Sequence, residues 1–273
     1  ILRGAQAGVN ACTRTAVPLA LESVVNPANA LIRFNLNAAC VVIDGFTTTA
    51  GGATNVGSPF VSDSASIDRD QILNNRVEGW TGDGIWLNQG GVNVSVRGNN
   101  LDSTNKVGNG ATLFLNGPRI WQGLQVTDNC LVWNGAPGTF DPATGIFLDG
   151  NHNWAPSTGA DAGTPVISGN RIDRQQTGMN LGSRSFTGGT ISNNQITNSD
   201  FDGIQGGIQL SSITGNTFNF NGRSGLVLTS FGNTGADRGG QNTLITLNCF
   251  TSNGLRRHNG GLVFSTSQGA GLI

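Results

Sequence analysis

The chain has 273 residues, too many for a small stapled module and a suitable length for one elongated all-β domain. Only 11% of its residues are charged and the formal net charge is -1, so it lacks the basic stripe of a nucleic-acid partner, while its regularly spaced apolar positions exclude disorder. No apolar run is long enough to span a bilayer. In chain order, the sequence opens on Ile1 without a signal-like segment, as a processed mature chain does, or one truncated at its N-terminus. Residues 1–29 fit no repeat and read as an N-terminal cap, because an open coil exposes apolar core and unpaired strand edge. Ala30 to Phe34 and Cys40 to Phe46 read as the first coil strands.

From there one pattern recurs: apolar, polar, small or polar, Asn, polar, apolar. It reads Ile72 to Val77, Val96 to Leu101, Val126 to Leu131, Ile167 to Ile172, Ile191 to Ile196, Ile213 to Phe218 and Ile245 to Phe250. The Asn positions 75, 99, 129, 170, 194, 216 and 248 are separated by 24, 30, 41, 24, 22 and 32 residues. Periods of about 20–50 residues signal a solenoid. The motif predicts strand, tight turn, strand, with the Asn itself in the left-handed conformation and the Asn side chains stacked coil to coil.

A third strand follows in each coil, as in Gly84-Ile85-Trp86-Leu87, Gly145-Ile146-Phe147-Leu148 and Gly225-Leu226-Val227-Leu228. Alternation places the flanking aliphatics inside and the middle residue outside. The expected core includes Ile85, Leu87, Ile146, Leu148, Ile167, Ile172, Ile191, Ile196, Ile213, Phe218, Leu226 and Leu228. The outward row then reads Trp86, Phe114, Phe147, Asn180, Gln205, Val227, Val263. Surplus length falls beside this strand, at 102–110, 136–144, 149–164 and 229–242. The domain reading is a cap at 1–29, a parallel β-helix at 30–264 and a tail at 265–273.

Four cysteines allow two disulfides. Cys12 and Cys40 form the expected pair, within the cap. Cys130 and Cys249 occupy equivalent repeat positions four coils apart, about 19 Å at the usual strand spacing, and read as free or intermolecular thiols.

The I-S-G-N-R-I, I-S-N-N-Q-I and I-T-G-N-T-F motifs with their G-I-x-L strands resemble the right-handed parallel β-helix, pectin-lyase-like superfamily over about Ala30 to Phe264. The resemblance implies an all-β, right-handed β-solenoid of about eight three-strand coils. It leaves activity open, since such folds serve lyases, hydrolases, epimerases, tailspikes and structural surface proteins. Its sugar-cleaving members work on the outer face of the third strand. The Asp-Asp pair and Gly-His-Gly of polygalacturonase-like enzymes have no counterpart here, nor do the calcium-binding carboxylates of pectate-lyase-like ones.

No catalytic residue is therefore assigned, and no metal or cofactor is expected. The candidate ligand-binding residues are Trp86, Phe114, Phe147 and Asn180, as a strip for sugar rings or a partner protein. The competing structural reading has the loops folding over the row as a second core. Asp149, His152 and Asp161 are the alternative catalytic set, in a cluster extending to Asp141 and Asp237. The favoured function is a non-catalytic extracellular or cell-surface structural or adhesive protein. It is expected to self-associate end to end through residues 1–29 and 265–273. The alternatives are a carbohydrate-active lyase or hydrolase, with polysaccharide as its partner, and a tailspike-like fibre.

Overall fold

The computed structural model describes residues 1–14, 21–25, 34–49, 57–62, 67–88, 90–103, 110–116, 121–133, 143–148, 164–229, 242–254 and 262–265, without side chains at 182–185, 187, 209 and 262–265. Its strands build three nine-stranded parallel sheets, each coil giving one strand to each sheet. The first runs from Leu2–Arg3 to Leu244–Thr246, the second from Ser23–Val25 to Cys249–Thr251, and the third from Phe34–Asn35 to Leu262–Ser265. This is the right-handed parallel β-helix that the resemblance implies. A small parallel pair, Gly91–Val92 with Trp121–Gln122, is added at one corner. Nine strands per sheet exceed the expected eight coils, because the presumed cap supplies strands of a first coil. Leu2–Arg3 pairs with Val42–Asp44, and Ser23–Val25 pairs with Phe46–Thr49.

Strands of three residues hold because each inward side chain stacks on its equivalent above and below. Ile191 lies in register between Ile167 and Ile213, and all three are fully buried. Burying such a side chain contributes about 1.5–3 kcal/mol. All twelve core residues named from the sequence are buried. Rings join the stacks towards both ends: Phe34 stacks on Phe60 at 5.0 Å, and Phe218 on Phe250 at 4.8 Å.

The turn between the first and second sheets carries the asparagine column. Asn75, Asn99, Asn129, Asn170, Asn194 and Asn216 are wholly buried and are followed by Asn248. Asn170 typifies the arrangement. Its Nδ2 donates to Val126 O below (2.8 Å) and to Asn194 Oδ1 above (2.9 Å). Its Oδ1 accepts from the backbone N and the Nδ2 of Asn129, both at 3.0 Å. Both donors and the acceptor oxygen are thus satisfied within the protein, as burial requires.

The left-handed residue is not this Asn, as expected, but the one before it. Asn74, Gly98, Asp128, Gly169, Asn193, Gly215 and Leu247 all have φ between 53° and 67°. The reason is geometric: the ladder Asn must send its side chain inward along the column, so its predecessor absorbs the turn. Glycine alternates there with Asn or Asp, because each Asn or Asp oxygen folds over the next coil's glycine. A Cβ on Gly169 would lie 2.5 Å from Asp128 Oδ1. A second, shorter ladder closes the turn between the second and third sheets. There Asn221 donates to Asn253 Oδ1 at 2.9 Å, and Ser199 N donates to Asn221 Oδ1 at 3.1 Å.

The glycines that open the third strands of the later coils are also set by stacking. A Cβ on Gly178 would stand 2.5 Å from Gly203 O, and one on Gly203 would stand 2.4 Å from Gly225 O.

After Leu2–Arg3 the chain leaves the coil and climbs the outside of the asparagine corner as a strap. Gly4 N donates to Asp44 O (2.7 Å), Ala11 N to Gly98 O (2.8 Å), and Asn10 Nδ2 to Asp128 O (3.4 Å). Cys12 is disulfide-bonded to Cys130. The expected Cys12–Cys40 pair is therefore replaced, and Cys40 and Cys249 are exposed free thiols. Sequence spacing could not show this, because the strap rises several coils beyond its own place in the chain. It is held again on its return. Arg14 and Glu22 form an ion pair at 2.8 Å with both side chains 1% exposed, and Glu22 accepts from Thr47 Oγ1 at 2.8 Å.

Candidate functional site

The third sheet places its outward residues in one row. Strand register pairs Val61 with Trp86, Trp86 with Phe114, Phe114 with Phe147, Phe147 with Asn180, and Asn180 with Gln205. The Trp86 and Phe114 ring centroids are 6.5 Å apart at 61°, and the Phe114 and Phe147 rings stack at 5.1 Å and 6°. All three rings and Asn180 are half-buried, so each keeps one side accessible among the described residues. The four ligand-binding residues expected from the sequence thus lie together on one face. At the end of the row Val227 is 6% exposed, more deeply placed than an outward position implies.

Two further polar groups flank the rings. Asn88 and Asn116, one residue past their strands, lie on the same face as Trp86 and Phe114, and Asn116 Nδ2 donates to Asn88 Oδ1 at 2.9 Å. The sequence signal was available, because each Asn directly follows the closing Leu of a third strand, at Leu87 and Leu115. The row is therefore an apolar platform edged by amides, an arrangement that receives ring faces and hydroxyl groups.

The carboxylates of this region serve structure. Asp83 Oδ1 accepts from Ala111 N at 2.8 Å. Asp202 is fully buried and paired with Arg223, whose Nε donates to Asp202 Oδ1 at 3.1 Å. Arg223 also lies over the Phe201 ring at 5.8 Å. Asp70 accepts from Val41 N at 2.8 Å, while its other oxygen is buried without a partner. Burial, reinforced by nearby Asp68 and opposed by the Val41 bond, pushes the Asp70 carboxyl up to about 6. Asp70 lies in the first-sheet turn and not on the row. The alternative catalytic set Asp149, His152 and Asp161, together with Asp141 and Asp237, lies outside the described residues. So does most of the loop length expected to fold over the row.

These features define a right-handed parallel β-helix of pectin-lyase-like type with an aromatic outer face and no carboxylate in its described third-sheet row. Residues 121–272 match the family described as periplasmic copper-binding protein (NosD), and the chain belongs to that family. No curated protein and no solved structure matches it significantly. Copper favours thiolate, thioether and imidazole ligands. Among the described residues no group of three or more His, Cys, Asp or Glu side chains is placed to hold a metal ion. Met179 is fully buried in the core, and Cys40 and Cys249 belong to opposite ends of the solenoid. The described donors therefore do not make a copper site. Both histidines, His152 and His258, lie outside the described residues.

Proposed function

We propose that this protein is a non-catalytic β-helix of the cell envelope that binds a polysaccharide chain along its third sheet. The observation that carries this reading is the in-register row Trp86, Phe114, Phe147, Asn180, Gln205, flanked by Asn88 and Asn116. Aromatic rings repeated at one-coil spacing, about 4.8 Å, make a continuous apolar strip that suits a regular polymer better than a compact ligand. An envelope location is supported by the periplasmic description of the family and by the Cys12–Cys130 disulfide, a bond that persists in oxidising compartments. The hydrolase alternative needs two carboxyl groups about 5–10 Å apart, and the described row offers amides and rings instead. The filament reading rests on coil-end docking, and residues 266–273 lie outside the described residues, while the tailspike reading requires trimerisation.

The test is affinity electrophoresis of the full chain in gels containing neutral or uronic-acid polysaccharides. At least one polymer should retard the protein, and Trp86→Ala and Phe147→Ala should each weaken the retardation about tenfold, a loss near the upper end of aromatic pair energies. Absence of retardation in every polymer sinks the proposal. Release of oligosaccharides, abolished by Asp149→Ala, replaces it with the enzyme reading.

A further inference from the structure

A second concavity lies on a different face of the same coils. It is a groove of about 660 Å³ on the outer side of the first sheet, walled by the N-terminal strap. Its volume falls within the range of about 300–1,000 Å³ typical of ligand sites. The floor is one row in strand register, Gln71, Ser95, Gln125, rising one coil per residue. Each of these side chains carries both a donor and an acceptor. The two glutamines are exposed and Ser95 is half-buried.

The charges in the groove are balanced. Asp44 is 8% exposed and accepts from Gly8 N at 3.1 Å and Asn74 Nδ2 at 2.9 Å. Arg97 lies 3.4 Å from Asp128. The lining thus carries one carboxylate and one guanidinium, and the groove has no net charge to draw in a phosphate or a uronate. It contains no aromatic ring among its lining residues, so a flat apolar ligand finds no stacking partner. What remains is a run of amide and hydroxyl groups at coil spacing, which matches a neutral, polyhydroxylated chain.

The wall depends on the strap. Asn10 lines the groove, and its own groups are used to hold the strap, donating to Asp128 O and accepting from Cys12 N at 2.8 Å. Two residues further on, the Cys12–Cys130 bond fixes the strap to the second sheet.

We propose that this groove is a separate binding site for a neutral oligosaccharide, completed by the disulfide-held strap. It stands independently of the aromatic row. The experiment is isothermal titration of the full chain carrying Trp86→Ala, Phe114→Ala and Phe147→Ala, which removes all three rings of the row. The ligands are maltohexaose, cellohexaose and chitohexaose, with hexagalacturonate as a charged control. At least one neutral hexasaccharide should bind, hexagalacturonate should bind at least tenfold more weakly, and Gln71→Ala with Gln125→Ala should reduce affinity tenfold or more. A Cys12→Ser, Cys130→Ser variant with an unchanged β-sheet circular dichroism spectrum should lose affinity to a similar degree. The idea is overturned if no neutral hexasaccharide binds, if the glutamine pair or the unstapled strap leaves affinity unchanged, or if hexagalacturonate binds best. Because the row and the groove are disabled by different substitutions, failure of one reading leaves the other identifiable.

Discussion

The corner between the first and second sheets and the outer face of the third sheet are built from the same coils yet obey different rules. At the corner every group is committed. The asparagines pair coil to coil, their predecessors alternate between glycine and Asn or Asp, and the strap covers the outside. On the third sheet the inward residues are as regular, but the outward ones change from ring to amide to aliphatic along the axis. The spacing of the ladder asparagines varies from 22 to 41 residues because the extra length enters elsewhere in the coil. Buried hydrogen bonding fixes one side of the solenoid and leaves the other free to acquire a ligand surface.

The sharpest way to break that contrast is to remove a rung. Asn170→Ala deletes two donations and leaves the backbone N and Nδ2 of Asn129 without their acceptor. At about 1–3 kcal/mol for each buried group left unpaired, the loss should reach roughly 4 kcal/mol or more by chemical denaturation. Asn116→Ala, on the open face, should cost about 1 kcal/mol or less. The strap extends the committed region, so Glu22→Gln should cost about 3 kcal/mol by leaving Arg14 buried without its counter-charge.

Asp70 is a flaw on the same side of the molecule. Its folded pKa lies above the ordinary value of 3.8, so its proton stabilises the fold fully below about pH 4. That contribution is lost as pH rises through about 6. Asp70→Asn should keep the acceptor for Val41 N and flatten this dependence, gaining on the order of 1–3 kcal/mol at pH 8. A smaller effect of opposite sign to the ladder losses is expected at Leu247, which breaks the alternation with φ 55° and 88% exposure. Leu247→Asn should stabilise the protein by about 1 kcal/mol in thermal melts, because a branched side chain pays for the left-handed conformation that Asn tolerates.

The contrast also explains what the sequence revealed. The ladder, the core and the outward row were legible, because each rests on a residue repeated at one place in every coil. Ile191 and Asn194 recur where Ile167 and Asn170 stand, and the register follows directly. The strap was not legible. Its contacts join Asn10 to Asp128 and Cys12 to Cys130 across more than a hundred residues without any periodic signal. The hand of the turn was misplaced by one residue, because Asn tolerates the left-handed region in general while here its side chain is needed inside. The groove floor at Gln71, Ser95 and Gln125 was visible only as polar residues preceding the core position, and it becomes a site only once the strap stands beside it.

The division of labour between the two faces is tested most directly by melting Phe114→Ala and Asn170→Ala alongside the parent chain, then running all three in the same polysaccharide gels. Phe114→Ala should melt within a few degrees of the parent and lose most of its retardation. Asn170→Ala should melt roughly 10 °C lower and keep its retardation below that temperature. If Phe114→Ala instead collapses the melting temperature as far as Asn170→Ala does while its folded fraction is still retarded like the parent, the aromatic row is a second core and the third sheet is not the binding face.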